Sequence, residues 1–523
     1  MLSENLHTAL LWAAPVALAV GLVYLFLLSR RCIAPPDVSS ESAVTRRAAR
    51  NSTMLLVTNL GDRVLFWGFW VVALRLLGPE GNGQYAFATN LLVYFAAATN
   101  FGLSTLVTRE VARRPDRVDE LFGNALAIRL VLVAVAIPLM IAIAAVFWIA
   151  GSLSSISLGV AALLALSLVP NAINQSYAAL YSAYEQMGFR GATVIGTALI
   201  TISGGILALL LDGGVVALAV VAIVAGSITF YTLARPLGFR RLLTIQRARR
   251  DESLAMLGTS LPLMLNELLA SVFFQIDILV IQPLQGGTAL VGKYNSAYKF
   301  VAALSVVAPA IILPLFPALA RAATNPGSLA PWIARAWRPM ILLAAPAVMT
   351  FAVFGHDIIG TFWGDAFLPE AGDVLVVLMW VLPFAYLNGL LQYMLISSDR
   401  LRSITVAFTL ASTFNIALNL VLIPRVGVIG AAYATVTSEL VLLALYVLAL
   451  HDGRLLLAPL LAALRPVAGA ALMLAPALLL RDAGWILAAT AAGVAYLVFI
   501  VATRAVTGAD LAFARSALGR AAD

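Results

Sequence analysis

Residues 415–435 read NIALNLVLIPRVGVIGAAYAT, and this stretch decides the fold. Asn415 and Asn419 are four residues apart, so they share one face of an otherwise apolar helix. Lipid cannot satisfy the hydrogen-bonding groups of the two amides, and that face must therefore meet protein or water. Pro424 ends the helix, and the small residues that follow Gly427 open a second, closely packed apolar segment. The stretch predicts two membrane helices joined by a tight turn, with the amides lining a pathway.

The composition of the whole chain agrees with a membrane protein. The 523 residues are 62% hydrophobic and 11% charged, whereas soluble domains are about half apolar and about a quarter charged. The formal net charge of +8 comes from basic residues beside apolar runs. Membrane orientation explains that placement, so no nucleic-acid partner is expected.

Apolar runs of about 20 residues, broken by Gly, Pro or charge, mark the predicted membrane spans. They predict an all-α polytopic protein with fifteen spans, at residues 9–28, 54–77, 84–108, 122–149, 156–182, 190–211, 214–234, 257–284, 294–318, 338–360, 374–396, 403–424, 430–450, 457–480 and 484–503.

Basic residues distinguish the two sides of the membrane. Arginines cluster in alternate loops, such as 235–256, whereas the opposite loops hold only Lys293, Arg425 and Arg481. The positive-inside rule places the arginine-rich loops and the C-terminus in the cytoplasm. The multi-pass chain is therefore expected in a bacterial inner membrane.

Three landmarks recur at nearly constant spacing. Gly83-Gln84-Tyr85 matches Gly292-Lys293-Tyr294, Arg109 matches Arg321, and Pro170 matches Pro383. The matches predict two six-helix lobes related by a pseudo-two-fold axis along the membrane normal.

The predicted organisation has five parts. They are an extra span with a cytoplasmic linker (1–53), an N-lobe (54–234), a basic loop (235–256), a C-lobe (257–450), and two final spans with a tail (451–523). Residues 1–53 have no counterpart in the second lobe, so we expect them to be dispensable.

Several blocks resemble the polysaccharide flippases of the multidrug/oligosaccharidyl-lipid/polysaccharide exporter superfamily. They are RLLGPEGNGQY at 75–85, FGLSTLVTREVAR at 101–113, IDILV at 276–280, VGKYNSAYK at 291–299, LPLFPAL at 313–319 and the stretch at 415–435. The resemblance implies alternating-access export of an isoprenoid-diphosphate-linked oligosaccharide from the inner to the outer leaflet, with a polysaccharide polymerase as a candidate partner.

Ionisable side chains inside predicted spans cost about 2.5–3.5 kcal/mol each on insertion scales, so each needs a reason. Asp62 and Arg63 are adjacent and point in different directions, and each needs a partner on another helix or in a cavity. A guanidinium grips phosphate oxygens in a bidentate manner, so Arg63 is the predicted diphosphate ligand. The alternative for both is a structural ion pair.

Further charged groups in or near the predicted spans include Glu439, for which no role is predicted, and four others. Asp277 and Lys299 lie at similar depth on consecutive helices, and we expect either a gate pair or a permanent salt bridge. Glu267, beside Asn266, is the candidate site for a coupling proton or sodium ion. Arg129 lies near a span end, where snorkelling is expected.

Amides on the predicted helices are candidates for hydrogen bonds to sugar hydroxyls, with helix packing as the alternative for about half of them. They are Asn174, Gln175, Asn388, Gln392, Asn415 and Asn419.

Other chemistry is not expected. No Gly-x-x-x-x-Gly-Lys-Ser/Thr loop occurs in the sequence, and the three histidines lack metal-ligand spacing, so neither an enzyme nor a cofactor is predicted. Two rival transporters remain, a lipid II flippase and a cation-coupled multidrug exporter. The latter would favour acidic and aromatic over basic cavity residues.

Overall fold

The computed structural model describes residues 4–31, 41–313, 315, 329–451 and 457–505. Most of these residues are helical, the rest form turns and short connections, and no strand occurs among them. Cys32, Arg321 and the tail from residue 506 lie outside the described residues. The chain forms two compact units, one ending at Gly292 and the other beginning at Lys293, called the first and second units below. The predicted division into two six-helix lobes stays a prediction.

The helices of the first unit are long and mostly apolar. They are α1 (Glu4–Leu28), α2 (Glu41–Asn100), α3 (Leu103–Arg113), α4 (Val118–Ile149), α5 (Ser155–Leu166), α6 (Leu168–Ala183), α7 (Met187–Leu210), α8 (Gly214–Leu237), α9 (Arg250–Leu284) and α10 (Thr288–Leu304), the last of which continues into the second unit.

The second unit continues the same all-helical pattern. Its helices are α11 (Leu329–Phe362), α12 (Glu370–Leu378), α13 (Val381–Ser397), α14 (Leu401–Val426), α15 (Ile429–Leu450), α16 (Leu457–Leu472), α17 (Leu474–Leu479) and α18 (Trp485–Ala502).

Within the described residues, fourteen helical stretches are long and apolar enough to cross a membrane. The predicted number of spans, fifteen, exceeds this count by one, because the predicted spans 54–77 and 84–108 fall in one helical stretch. That stretch has a kink at Gly78 (φ 66°, ψ −177°), just before Pro79. Glycine adopts this positive φ readily, and proline cannot continue the hydrogen bonding of the preceding turn. The all-α polytopic class is therefore confirmed.

One boundary differs from the sequence expectation. Helix α2 begins at Glu41, inside the predicted linker. Alanine and arginine dominate residues 43–50, and both favour helix over coil, which explains the extension.

Packing in the first unit places four helices around one polar space. Helix α7 packs on α1, α2 and α8, and α6 packs on α3 and α8. One cluster of buried hydrophobic residues in the first unit includes Leu25, Phe122, Tyr177, Tyr181 and Ile200. Apolar side chains thus fix the helices whose polar faces are described below.

The predicted topology can be tested by labelling. Gln246 in the basic loop and Ala366 in the 3₁₀ turn Asp365–Phe367 are both exposed. In a Cys32→Ser background, we expect Ala366→Cys to react with an impermeant maleimide in cells whose outer barrier is opened, and Gln246→Cys to react only after lysis. Thr244 is buried and makes an unsuitable reporter. The reverse pattern would invert the orientation.

Candidate functional site

Helices α2, α6, α7 and α8 of the first unit line a cavity of about 350 Å³. Its walls carry amides, hydroxyls, one carboxylate and one guanidinium among apolar side chains. The lining residues are Asp62, Phe66, Asn171, Asn174, Gln175, Ala178, Arg190, Thr193, Val194, Thr197, Ala198, Thr229 and Leu233. Such polar groups on apolar, membrane-length helices are satisfied only by each other, by water or by a polar ligand.

The amides of α6 form one wall. Gln175 Nε2 donates to Asn171 Oδ1 at 2.6 Å, and Asn174 Nδ2 donates to the carbonyl of Gly226 at 2.9 Å. The buried Asn174 Oδ1 accepts no hydrogen bond from any described residue. The predicted residues Asn174 and Gln175 both line the cavity, and sugar binding by them stays a prediction.

The opposite wall belongs to α7 and α8. Arg190 Nη1 donates to Ser182 Oγ at 2.8 Å, and no carboxylate of the described residues lies within 4.0 Å of its guanidinium. Further along, the hydroxyls of Thr197 and Thr229 are 2.6 Å apart. The wall therefore offers an unneutralised cation beside hydroxyl groups.

Asp62 and Arg63 occupy different surroundings. Asp62 is half-buried and lines the cavity, whereas Arg63 is exposed and is not among the lining residues. The charge of Arg63 nevertheless acts on Asp62. The predicted divergence of the two side chains agrees with this placement, and phosphate binding by Arg63 stays a prediction.

Arg129 is fully buried in the first unit, so the expectation of snorkelling was wrong. Its guanidinium donates to Ser176 Oγ at 2.6 Å, Ser104 Oγ at 2.8 Å and Asn100 Oδ1 at 2.9 Å. Snorkelling requires a free path to the interface, but Arg129 is held between α2, α3 and α6 instead. Neutral side-chain oxygens take the place of water around this cation.

Glu267 reaches this network from α9. Its Oε2 accepts a hydrogen bond from Asn100 Nδ2 at 3.1 Å, and the residue as a whole is partly open to the surface. Helix α9 has no basic residue at helical spacing from Glu267, and Arg129 belongs to another helix. Ion coupling by Glu267 stays a prediction.

In the second unit, Asn388 is bound to a buried acid. Its Nδ2 donates to Glu439 Oε2 at 2.7 Å and to the carbonyl of Glu439 at 2.9 Å. Gln392, one turn later on α13, is half-buried and hydrogen-bonds to no other described residue. Asn388 therefore links α13 to α15, whereas the amide of Gln392 makes no hydrogen bond to another described residue.

Asn415 and Asn419 are both fully buried. Asn419 Nδ2 donates to Asn415 Oδ1 at 3.0 Å, and Asn415 Nδ2 donates to Ser438 Oγ on α15 at 3.1 Å. The prediction that their face meets protein or water is confirmed, and protein covers it. A role in a pathway stays a prediction.

The two remaining candidates belong to different units. Asp277 is buried in the first unit and Lys299 is half-buried in the second. Their proposed pairing stays a prediction.

Sequence reasoning missed the polar face of α7. Arg190, Thr193 and Thr197 follow one another at i, i+3 and i+7, which places them on one side of a helix. Their hydroxyls and guanidinium meet α6 and α8 across the cavity. This spacing of polar residues in an otherwise apolar segment could have predicted the polar face of α7 from the sequence.

Comparisons with known proteins agree with this architecture. Residues 48–323 match the family model described as polysaccharide biosynthesis protein. The search of curated proteins found no significant match. Among solved structures, the chain is similar to the lipid II flippase MurJ in an inward-closed conformation, at TM-score 0.68 and 14% identity over 86% of this chain and 98% of that one.

A second likeness is to an inward-facing multidrug resistance MATE family transporter of the MOP superfamily. The TM-score is 0.61 at 15% identity, over 84% of this chain and 98% of that one. An outward-facing MATE family transporter gives a TM-score of 0.53 at 16% identity, over 79% and 95%. At these identities the likeness concerns the fold.

Proposed function

Since the chain belongs to the polysaccharide biosynthesis protein family, we propose that it is a flippase for an isoprenoid-diphosphate-linked oligosaccharide. The substrate crosses from the inner to the outer leaflet of a bacterial cytoplasmic membrane by alternating access, with the lipid tail in the bilayer. The proposed activity is transport, with no covalent chemistry. A coupling cation and a polysaccharide polymerase belong to this proposal as partners.

The polar cavity of the first unit is the observation that carries the proposal. Sugar hydroxyls are both donors and acceptors, and they match the amides of Asn171, Asn174 and Gln175 and the hydroxyls of Thr197 and Thr229. In a membrane-length helix bundle, such a concentration of hydrogen-bonding groups suits a hydrophilic cargo. Asn388, Gln392, Asn415 and Asn419 are the corresponding candidates of the second unit.

Arg190 supplies the charge that a diphosphate needs. Its guanidinium is half-buried at the cavity wall and has a hydroxyl, not a carboxylate, as its partner. A cation in such a site attracts an anion more strongly than one already held in an ion pair. We propose Arg190 and Arg63 as alternative phosphate ligands, with Asp62 as a gating or ion-coupling group.

The cavity lining favours this substrate over the drugs of a multidrug exporter. Cationic drugs would be matched by several acidic and aromatic groups, whereas the lining contains one acid, Asp62, and one aromatic ring, Phe66. A lipid II flippase remains the alternative, because its cargo also joins a diphosphate to sugars.

The test compares single arginine variants in cells that depend on this protein for surface glycan. Loss of a charged hydrogen bond costs about 1.5–3 kcal/mol, or about 10- to 150-fold in rate. We expect Arg190→Ala to cause lipid-linked oligosaccharide to accumulate in the inner leaflet, and Arg190→Lys to retain partial export. The measurement is inner-leaflet oligosaccharide normalised to protein level.

Two comparisons sharpen the result. Arg240→Ala removes the same charge from an exposed loop position and should export normally. Arg63→Ala shows which arginine binds the phosphate, and Arg63→Lys should then be partly active. Normal export by both alanine variants would exclude the arginine–diphosphate contact.

A further inference from the structure

The hydrogen bonds around Arg129 offset only part of the free-energy cost of burying its charge. The residue is completely buried, and its three acceptors, on Asn100, Ser104 and Ser176, are all neutral. Its Nε has no partner among the described residues. A buried charge without a counter-charge is strongly unfavourable, so the arrangement depends on an anion beyond these neutral groups.

That anion is Glu267. Helix α9 packs on α2, α3 and α4. From residue 61 onward, the titratable or charged side chains of these three helices are Asp62, Arg63, Arg75, Glu80, Tyr85, Tyr94, Arg109, Glu110, Arg113, Asp119, Glu120 and Arg129, and those of α9 itself are Arg250, Asp251, Glu252, Glu267 and Asp277. Among them, Arg129 is the one whose charge acts on Glu267.

Asn100 connects the two charges. Its Nδ2 donates to Glu267 and its Oδ1 accepts from Arg129, so the amide is polarised from both ends. Asn100 is also the last residue of α2, and the next two residues have positive φ (Phe101, 51°; Gly102, 68°) before α3 begins. The amide therefore ties a break between two helices to α9.

Ser104 extends the connection to the cavity. Its hydroxyl lies 2.7 Å from Asn100 Oδ1 and 3.4 Å from Gln175 Oε1. A hydroxyl has one hydrogen to donate and can serve only one acceptor well. Gln175 lines the cavity, and thus a change at Asn100 reaches the cavity wall through a single shared proton donor.

We propose that Glu267 binds a proton and that Arg129 is the positioning residue that transmits this event to the cavity. With Glu267 ionised, its charge balances Arg129 and holds Asn100 in place. Protonation removes the counter-charge, weakens the tie between α9 and the α2–α3 break, and frees the Ser104 hydroxyl for Gln175. This inference rests on the proposed transport function, of which it specifies the coupling ion.

The test uses purified full-length protein in lipid nanodiscs without substrate. Amide hydrogen exchange across residues 98–113 is followed between about pH 5 and pH 8 and corrected for the intrinsic pH dependence of exchange. We expect acidification to raise exchange of the wild type about tenfold. Glu267→Gln should show the acidic rate at both pH values, because it cannot carry the counter-charge.

The Arg129 variants distinguish positioning from simple structural support. Arg129→Lys keeps the cation and should keep the pH response, whereas Arg129→Gln should lose it. Glu370→Gln is the matched control, since Glu370 pairs with Lys293 in the second unit, and it should respond like the wild type.

Two results would overturn the inference. One is a wild-type pH response in Glu267→Gln, and the other is an equal response in Arg129→Lys and Arg129→Gln. The exchange measurement needs no glycan, so a failed export assay and a failed proton assay refute different proposals.

Discussion

Replacing Gly83 with valine should abolish export, because the backbone of another helix occupies the place of its side chain. A Cβ atom on Gly83 would lie 1.7 Å from the carbonyl oxygen of Thr288, and one on Gly292 would lie 1.9 Å from that of Pro79. Nearby, Asn82 Nδ2 donates to the carbonyl of Gly292 at 2.6 Å. Backbone atoms cannot move aside as a flexible side chain can. A side chain at either glycine would therefore force the segment around Gly83 away from the segment 288–292.

The expected size of the effect follows from this rigidity. Overpacking a core costs about 1–3 kcal/mol, and a clash with backbone lies at or beyond the upper end of that range. We expect Gly83→Val and Gly292→Val each to lower export at least about 100-fold. Surface glycan per unit of membrane-inserted protein is the measurement.

Gly287 provides the matched control within the same turn region. A Cβ atom there meets nothing within 4 Å, so Gly287→Ala should export normally. Normal export by Gly83→Val would mean that the contact between the two segments contributes nothing to transport.

Asn388→Leu should destabilise the second unit more than a typical helix-surface change. The substitution removes both hydrogen bonds to Glu439, whose side chain is 1% exposed and has no other hydrogen-bond donor among the described residues. A buried acid that loses its donor keeps the full cost of leaving water. We expect a loss of about 3 kcal/mol in the free energy of unfolding.

Gln392→Leu is the control, because Gln392 lies one turn along the same helix and hydrogen-bonds to no described residue. In detergent, the midpoint of thermal unfolding should therefore be clearly lower for Asn388→Leu than for Gln392→Leu. Adding Glu439→Met to Asn388→Leu should recover most of the lost stability, since the uncompensated acid is then gone. Equal midpoints for Asn388→Leu and Gln392→Leu would contradict this account of the pair.

The sequence predicted the membrane helices well because their signal is local. A span needs about 20 apolar residues in a row. The one difference in span number is that the two predicted spans on either side of Gly78 belong to a single helical stretch with a kink at that residue. The helix that begins at Glu41 was not predicted. Residues 34–53 are rich in Pro, Ser and Arg, a composition that is typical of a linker. Propensity within residues 41–53 alone would have indicated a helix.

Side-chain partners were harder to predict, because periodicity gives the face of a helix but not its neighbour. Asn415 and Asn419 were correctly expected to meet protein or water, and yet nothing local identified Ser438 as the partner. Arg129 was misjudged for the same reason. Its position suggested an escape to the interface, whereas three other segments supply Asn100, Ser104 and Ser176 around it.

The two glycines that match in the repeat, Gly83 and Gly292, lie in segments that contact each other. Equivalent residues that touch each other must lie near the axis that relates them. Sequence matching paired the two glycines without predicting contact, which depends on how the segments fold back. The backbones of the two glycine segments lie in contact, and the two-fold arrangement of the lobes stays a prediction.

Helix α1, which sequence analysis treated as dispensable, determines what surrounds the cavity wall. It packs along α7, where Leu25 and Ile200 are buried in one cluster and the Leu25 side chain fills the space beside Gly196. On another side, α7 presents Arg190 and Thr197 to the cavity. Acyl chains would otherwise form the annular layer along this strip of α7. The first helix thus occupies the place of boundary lipid along α7, and we expect this wall to respond little to changes in bilayer composition.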